Sequence, residues 1–146
     1  VLLAGGIIDH QDIIDAFKFG ADGVQVGTRF AASFEANVAK SFHDTYLKAQ
    51  KGDVFRIMSP VGLWGNALPT PFTDRVTAGD VKPPACIGCL KKCSRRFCII
   101  QSLIDARAGN LDEGLVFAGE HVYRIDKIMS VAEIFEMFFK DLEFRD

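Results

Sequence analysis

No apolar run in this 146-residue chain approaches the roughly 18 residues that a membrane-spanning helix needs, so a membrane is not an expected partner. An excess of either charge is missing too: 17 Lys and Arg stand against 19 Asp and Glu, a formal net charge of −2. Without a broad basic field, nucleic acid is not an expected partner either. Low-complexity tracts and internal repeats are absent, which argues against fibrous and solenoid architectures. No basic leader precedes the first apolar run, which meets Gly5, Gly6 and Asp9 at once, so a signal peptide is not expected and the location is read as cytoplasmic. Tryptophan occurs once and tyrosine twice, against 13 Phe. Many of these Phe fall on predicted helix faces and read as packing residues.

What is present is globular. Hydrophobic residues make up 49% and charged residues 25% of the chain, and its length suits one ordinary domain. The segment VLLAGG is a short apolar run ending in glycines, the pattern of a buried strand entering a tight turn. Asp9, with Asp12 three residues on, marks a capped helix start, with Ile13, Ile14 and Phe17 as the buried stripe and Gly20 as the stop. DGVQV is a second buried strand, ending at Gly27. Strand, helix, strand with short joints is the grammar of parallel α/β folds.

A longer amphipathic helix is expected over residues 33–50, where Phe34, Val38, Phe42 and Tyr46 recur every four residues. DVFRIM reads as a short strand. All 5 Pro and several Gly follow between positions 60 and 84, so residues 59–85 are expected to be a functional or covering loop. CIIQSLIDARAG reads as a helix closed by Gly109. SVAEIFEMFFKDLEF reads as a final helix with Ser130 and Glu133 as its capping box and Ile134, Met137, Phe138 and Leu142 on one stripe. The chain thus divides into residues 1–58 (barrel units and the helix after them), 59–85 (loop) and 86–146 (cysteine segment and closing helices).

Two parallel strands and one crossover helix make a single repeat, and an all-parallel sheet needs both faces covered. The expected fold class is therefore α/β: the last two strands of a TIM-type (β/α)8 barrel and a mostly helical C-terminal segment, incomplete as a barrel alone. Its partner would be the N-terminal barrel half, on the same or another chain. In such barrels the loops after the last two strands often bind phosphate. Gly5-Gly6 and Gly27-Thr28 stand at those positions, where glycine admits a phosphate to the main chain. Thr28 offers a hydroxyl, and the helix start after Ile8 adds partial positive charge. Read singly, each turn is equally an ordinary tight joint.

The stretch AGGIIDHQDIIDAFKFGADGVQVGTRF, continued by SPVGLWGNAL, CLKKC, YRIDKI and the last helix, resembles the C-terminal part of the nitronate monooxygenase (2-nitropropane dioxygenase-like) flavoproteins. That group includes the flavin-dependent enoyl-acyl-carrier-protein reductases. The resemblance implies an FMN-binding barrel acting on a small-molecule substrate, oxidising nitronates or nitroalkanes with oxygen. The alternatives are reduction of an enoyl C=C bond by NAD(P)H, or a non-catalytic metal- or cluster-bearing fragment or subunit that completes another chain's barrel. Ala4, Gly5, Gly6, Gly27 and Thr28 would hold the FMN phosphate, and Gln25 would reach toward the flavin or ribityl region. The histidine these monooxygenases use as base lies on a segment upstream of the equivalent of Val1. No catalytic residue is therefore assigned here, and His10, His43 and His121 read as structural or solvated. The family segment often carries an Arg where this chain has Asn66, which bears on the substrate's charge. The Phe-rich last helix could serve a homodimer interface or a barrel wall.

The 4 Cys all fall within CIGCLKKCSRRFC. Cys86, Cys89, Cys93 and Cys98 could surround zinc or an iron–sulfur cluster, with Lys91, Lys92, Arg95 and Arg96 favouring thiolates. CIGC also resembles a cluster-binding segment of the dienoyl-CoA reductase-like barrels, although the fourth spacing differs. The alternative is four free thiols.

Overall fold

The computed structural model describes residues 1–81, 86 and 88–142. The opening repeat forms as its sequence predicts. Strands β1 (Leu2–Ala4) and β2 (Gly23–Gln25) flank helix α1 (His10–Lys18). They pair in parallel with Leu2 opposite Gly23, Leu3 opposite Val24 and Ala4 opposite Gln25. Helix α1 carries the expected capping box, the Asp9 side chain accepting from the Asp12 N–H while the Asp12 side chain accepts from the Asp9 N–H. Ile13 and Ala16 form its buried stripe, whereas Phe17 is exposed. The one-residue shift brings the smaller Ala16 against the sheet and the last helix.

A short helix α2 (Thr28–Ala31) follows β2 directly. The continuous helix expected over residues 33–50 is corrected by the structure. A 3-10 turn spans Phe34–Ala36, Asn37 turns left-handed at φ 52°, and helix α3 begins only at Lys40 and ends at Lys48. Asn is among the few residues that enter that region readily. Phe34 therefore falls off the stripe and is exposed, while Tyr46 is buried.

The 59–85 stretch is likewise more ordered than a loop. Strand β3 (Phe55–Met58) turns at Ser59–Gly62 into β4 (Trp64–Ala67), an antiparallel hairpin with Phe55 opposite Ala67. Helix α4 (Pro71–Ala78) then starts on a Thr70/Thr73 capping box with Pro71 in its first turn. Pro71 sits where its missing N–H is no loss, so this proline starts a helix instead of interrupting one. The 82–85 end of that stretch lies outside the described residues, as do Glu143 and Phe144 of the expected last helix.

Helix α5 (Ile99–Ala108) agrees with expectation, closing on Gly109. Helix α6 (Val131–Phe139) opens on the expected Ser130/Glu133 box but ends at Phe139, short of the expected Leu142, with Asp141 turned left-handed at φ 57°. A 3-10 turn spans Val122–Arg124, directly after His121. Three apolar clusters hold the fold. Ile7, Ile13, Ala16, Met129, Ile134 and Phe138 join α1 to α6. Tyr46, Leu68, Val116, Val122 and Ile125 join α3 to the segment after α5. Ile57, Ala67, Phe72, Phe97 and Leu115 fasten the hairpin to α4.

A further expectation about burial fails at the first strand. Val1 and Leu2, predicted to lie in a buried strand, are 88% and 72% exposed, because β1 and β2 form a two-stranded sheet. Among the described residues no helix is long and apolar enough to cross a membrane.

Candidate functional site

Parallel register sets the first feature of the site. With Ala4 opposite Gln25, the turns that follow, Gly5-Gly6 and Gly27-Thr28, leave the same end of the strand pair side by side. Gly5 and Gly6 take φ values of 88° and 77°, the left-handed region that favours glycine. Nothing stands within 4 Å of where a Cβ on Gly5 or Gly27 would project, so the main chain at both turns is open to an approaching group. Ala4, Gln25 and Gly27 are exposed, and Thr28 is half-buried.

The second feature is a hydroxyl oriented by the backbone. The Gly119 N–H donates to Thr28 Oγ1 at 2.8 Å. With that lone pair engaged, the Thr28 O–H is left to donate. Gly119 is needed for this approach, since a Cβ there would lie 3.0 Å from Thr28 Oγ1. Beyond Thr28 opens a concavity of about 640 Å³ lined by Gly27, Thr28, Tyr46, Trp64, Asn66 and Phe117 among others, none of its lining side chains being charged. The Trp64 ring carries the Arg56 guanidinium over its face at 5.1 Å. Tyr46 donates its phenol proton to the Phe117 carbonyl at 2.6 Å, and burial pushes its ionisation well above the ordinary tyrosine value. It is a neutral donor throughout the working pH range.

The start of α1 does not contribute as expected. The N–H groups of Ile8 and Asp9 are taken by Asp12 Oδ2 at 2.7 and 3.0 Å, so carboxylates of the chain itself occupy this helix end. Arg124 balances them, donating to Asp12 Oδ1 at 2.9 Å and also to Asp9. Burial raises the Asp12 pKa, but the hydrogen bonds from Arg124, Ile8 and Asp9 outweigh it and hold the carboxyl below its usual value. An anion at this end of the sheet would therefore be held by the two glycine turns and Thr28. The first-turn N–H groups of α2, which have no intrahelical acceptors, would add to that set.

Several participants were not visible in sequence. Gly119, His121 and Arg124 reach the site from far along the chain, and no local motif marks them. Arg29, two residues past Gly27, is buried, donates to the Lys127 carbonyl at 3.0 Å and leaves its Nε without a partner among the described residues. Burial lowers its pKa, and attraction to Asp126 opposes that. Of the histidines, His10 meets the Phe138 carbonyl at 3.0 Å and His121 the Gly6 carbonyl at 3.1 Å, while His43 Nε2 is buried and unpaired among the described residues.

The cysteines lie before and at the start of α5. All four are free thiols, Cys86 and Cys89 exposed, Cys93 and Cys98 half-buried. Cys93 Sγ accepts from the Arg95 N–H at 3.4 Å, and Cys98 is the N-cap residue of α5. Among the described residues no three His, Cys, Asp or Glu side chains are placed to hold a metal ion.

Comparison with known proteins places these features in context. Residues 1–141 match the family described as nitronate monooxygenase. A Saccharomyces cerevisiae protein bearing that name is 36% identical over 87 residues, 58% of this chain and 21% of its own length. The nitronate monooxygenase npaC of Metarhizium robertsii is 42% identical over 52 residues, 36% of this chain and 15% of its own. Among solved structures, FabK from Thermotoga maritima superposes with a TM-score of 0.78 at 30% identity, covering 96% of this chain and 43% of that one. A nitroalkane oxidase from Streptomyces ansochromogenes shares the fold, with a TM-score of 0.71 at 17% identity over 94% of this chain and 38% of that one. The chain thus spans about a fifth of the yeast relative and less than half of either structural neighbour.

Proposed function

The chain belongs to the nitronate monooxygenase family, and from that membership we propose that it supplies the phosphate-binding end of an FMN-dependent oxidoreductase that oxidises nitronates or nitroalkanes with oxygen. The observation that carries the reading is the pairing of two open glycine turns at one end of a parallel strand pair. This is the arrangement by which (β/α)8 barrels take phosphate after their last strands.

The donor set fits a phosphate monoester. Gly5, Gly6 and Gly27 let the main chain approach the phosphate oxygens, and Thr28 gives the hydroxyl proton left free by Gly119. Ala4 and Gln25, opposite each other in the ladder, set the distance between the turns, and the exposed Gln25 side chain can hydrogen-bond the ribityl chain or ring. FMN, when bound, supplies the two-electron redox chemistry. The protein's share is to hold it, exclude water and present the substrate. On this chain Tyr46, Trp64, Asn66 and Phe117 would wall the region beside the phosphate with apolar and neutral polar groups. The remaining strands, and the base that takes the substrate's proton, would come from the N-terminal barrel half. An iron–sulfur or zinc role for Cys86, Cys89, Cys93 and Cys98 stays outside this reading, which needs no metal: among the described residues no three His, Cys, Asp or Glu side chains are placed to hold one.

A second reading is flavin-dependent reduction of an enoyl thioester by NAD(P)H, favoured by the 30% identity to FabK across 96% of this chain. Two measurements on the purified full protein decide. Flavin released on denaturation and identified as FMN supports the shared reading, and a protein that neither carries nor takes up FMN rejects it. Oxygen uptake with a nitronate, against NAD(P)H oxidation with an enoyl thioester, then separates the two reactions.

A further inference from the structure

Past Ala4 and Gln25 the parallel ladder ends, and the two glycine turns are no longer tied by strand hydrogen bonds. A distant segment, residues 116–125, joins them instead. Its near end is anchored on the hairpin: the Leu68 N–H donates to the Val116 carbonyl at 2.9 Å, the Ala118 N–H to the Asn66 carbonyl at 3.0 Å, and Tyr46 holds the Phe117 carbonyl. Its far end is pinned by buried Val122 and Ile125 and by Arg124 on Asp9 and Asp12. Between these anchors Gly119 grips Thr28, and two residues later His121 grips Gly6.

The Gly6 carbonyl can only accept, so His121 Nδ1 carries the proton of that bond. The ring also stands directly on the turn: a Cβ at Gly6 would lie 3.1 Å from Nδ1 and 3.3 Å from Cε1. The turn's carbonyl is drawn toward the imidazole, which fixes the plane of the following peptide and the direction of its N–H.

We propose that His121 is a positioning residue for the anion site: through its Nδ1–H bond to the Gly6 carbonyl it sets the Gly5-Gly6 turn at a fixed separation from Thr28, so that both turns meet one phosphate. This rests on the FMN reading given above. It assigns His121 no contact with the ligand.

The test uses the full protein, stripped of flavin and titrated with FMN and with riboflavin, which lacks the phosphate, following the quenching of flavin fluorescence. His121→Leu is expected to raise the FMN Kd about tenfold and to leave riboflavin within about twofold. His121→Asn, whose amide nitrogen can stand where Nδ1 stood, should recover most of the FMN affinity. His121→Gln, whose amide reaches the Nε2 position instead, should behave like Leu. The proposal is overturned if FMN and riboflavin weaken together, if neither weakens, or if Asn is no better than Gln. Should the Leu variant fail to fold, the Asn and Gln pair decides alone, with thermal melts of the flavin-free proteins checking that both are intact. Wild-type protein that takes up no FMN rejects the phosphate site itself, and this proposal with it. Wild-type binding with unaltered variants rejects the role of His121 alone.

Discussion

Asp12 does three things at once: it closes the capping box of α1, accepts from the Ile8 N–H and pairs with Arg124, 112 residues away. Burial opposes its charge, yet the donors around it win and its folded pKa lies below the ordinary value. A depressed carboxylate contributes stability that is complete above the unfolded pKa of about 3.9 and is lost as the pH falls through the folded value. Asp12→Asn should therefore destabilise the protein at pH 7 by about 1–3 kcal/mol. That deficit should shrink as the pH drops below about 4. Urea melts of wild type and variant across this range check it; a deficit that stays constant with pH would show that the charge of Asp12 is not the source. Thr28 makes a second test at this scale. Its hydroxyl accepts from Gly119 and is the donor left for an anion, so Thr28→Ser should keep FMN binding, while Thr28→Val should weaken it about tenfold. Equal affinities for Ser and Val would remove the hydroxyl from the site.

Among the elements, helix starts are the best-determined parts of the fold. The boxes at Asp9/Asp12 and Ser130/Glu133 were legible because their partners are three residues apart. The same logic exposes the box that was missed. Thr70 accepts from the Thr73 N–H at 3.2 Å and donates to the Gly114 carbonyl at 3.0 Å, all in a buried setting. Thr70→Ala loses both bonds and should lower stability by about 1–2 kcal/mol, with Thr70→Ser close to wild type; matching urea midpoints for Ala and wild type would contradict this. The signal was present as Thr-Pro-x-Thr, but the neighbouring prolines made the stretch read as a loop. Asn37 hid in the opposite way, inside an apolar period of four that carried on across a left-handed turn. The glycine turns were readable as a pair because both follow strands. What could not be read was the segment that ties them, since Gly119 reaches Thr28 across 91 residues and His121 reaches Gly6 across 115. Local spacing carries no trace of such contacts. The cysteines are dense in sequence, yet among the described residues no three His, Cys, Asp or Glu side chains are placed to hold a metal ion.

At the scale of the whole molecule, burial is uneven, and this decides how the chain should behave by itself. Leu115, Val116, Val122 and Tyr46 are almost wholly enclosed, whereas Val1, Leu2 and Phe19 are 88%, 72% and 84% exposed. Parallel strands are stable when both faces are covered, and a two-stranded pair with an apolar edge in water meets neither that condition nor the pairing needs of its edges. On the function proposed above, the N-terminal barrel half would supply that covering. A polypeptide of these 146 residues expressed alone should therefore bind a hydrophobic dye, self-associate and melt without a sharp transition. Hydrogen exchange should localise the defect: fast at Leu2–Ala4 and Gly23–Gln25, slower across the enclosed Leu115–Ala118 region. In the full protein both strands should become protected. A monomeric, cooperative melt of the isolated chain, with its β1 amides protected, would mean that the strand pair needs no further cover, and the barrel-half reading would fall.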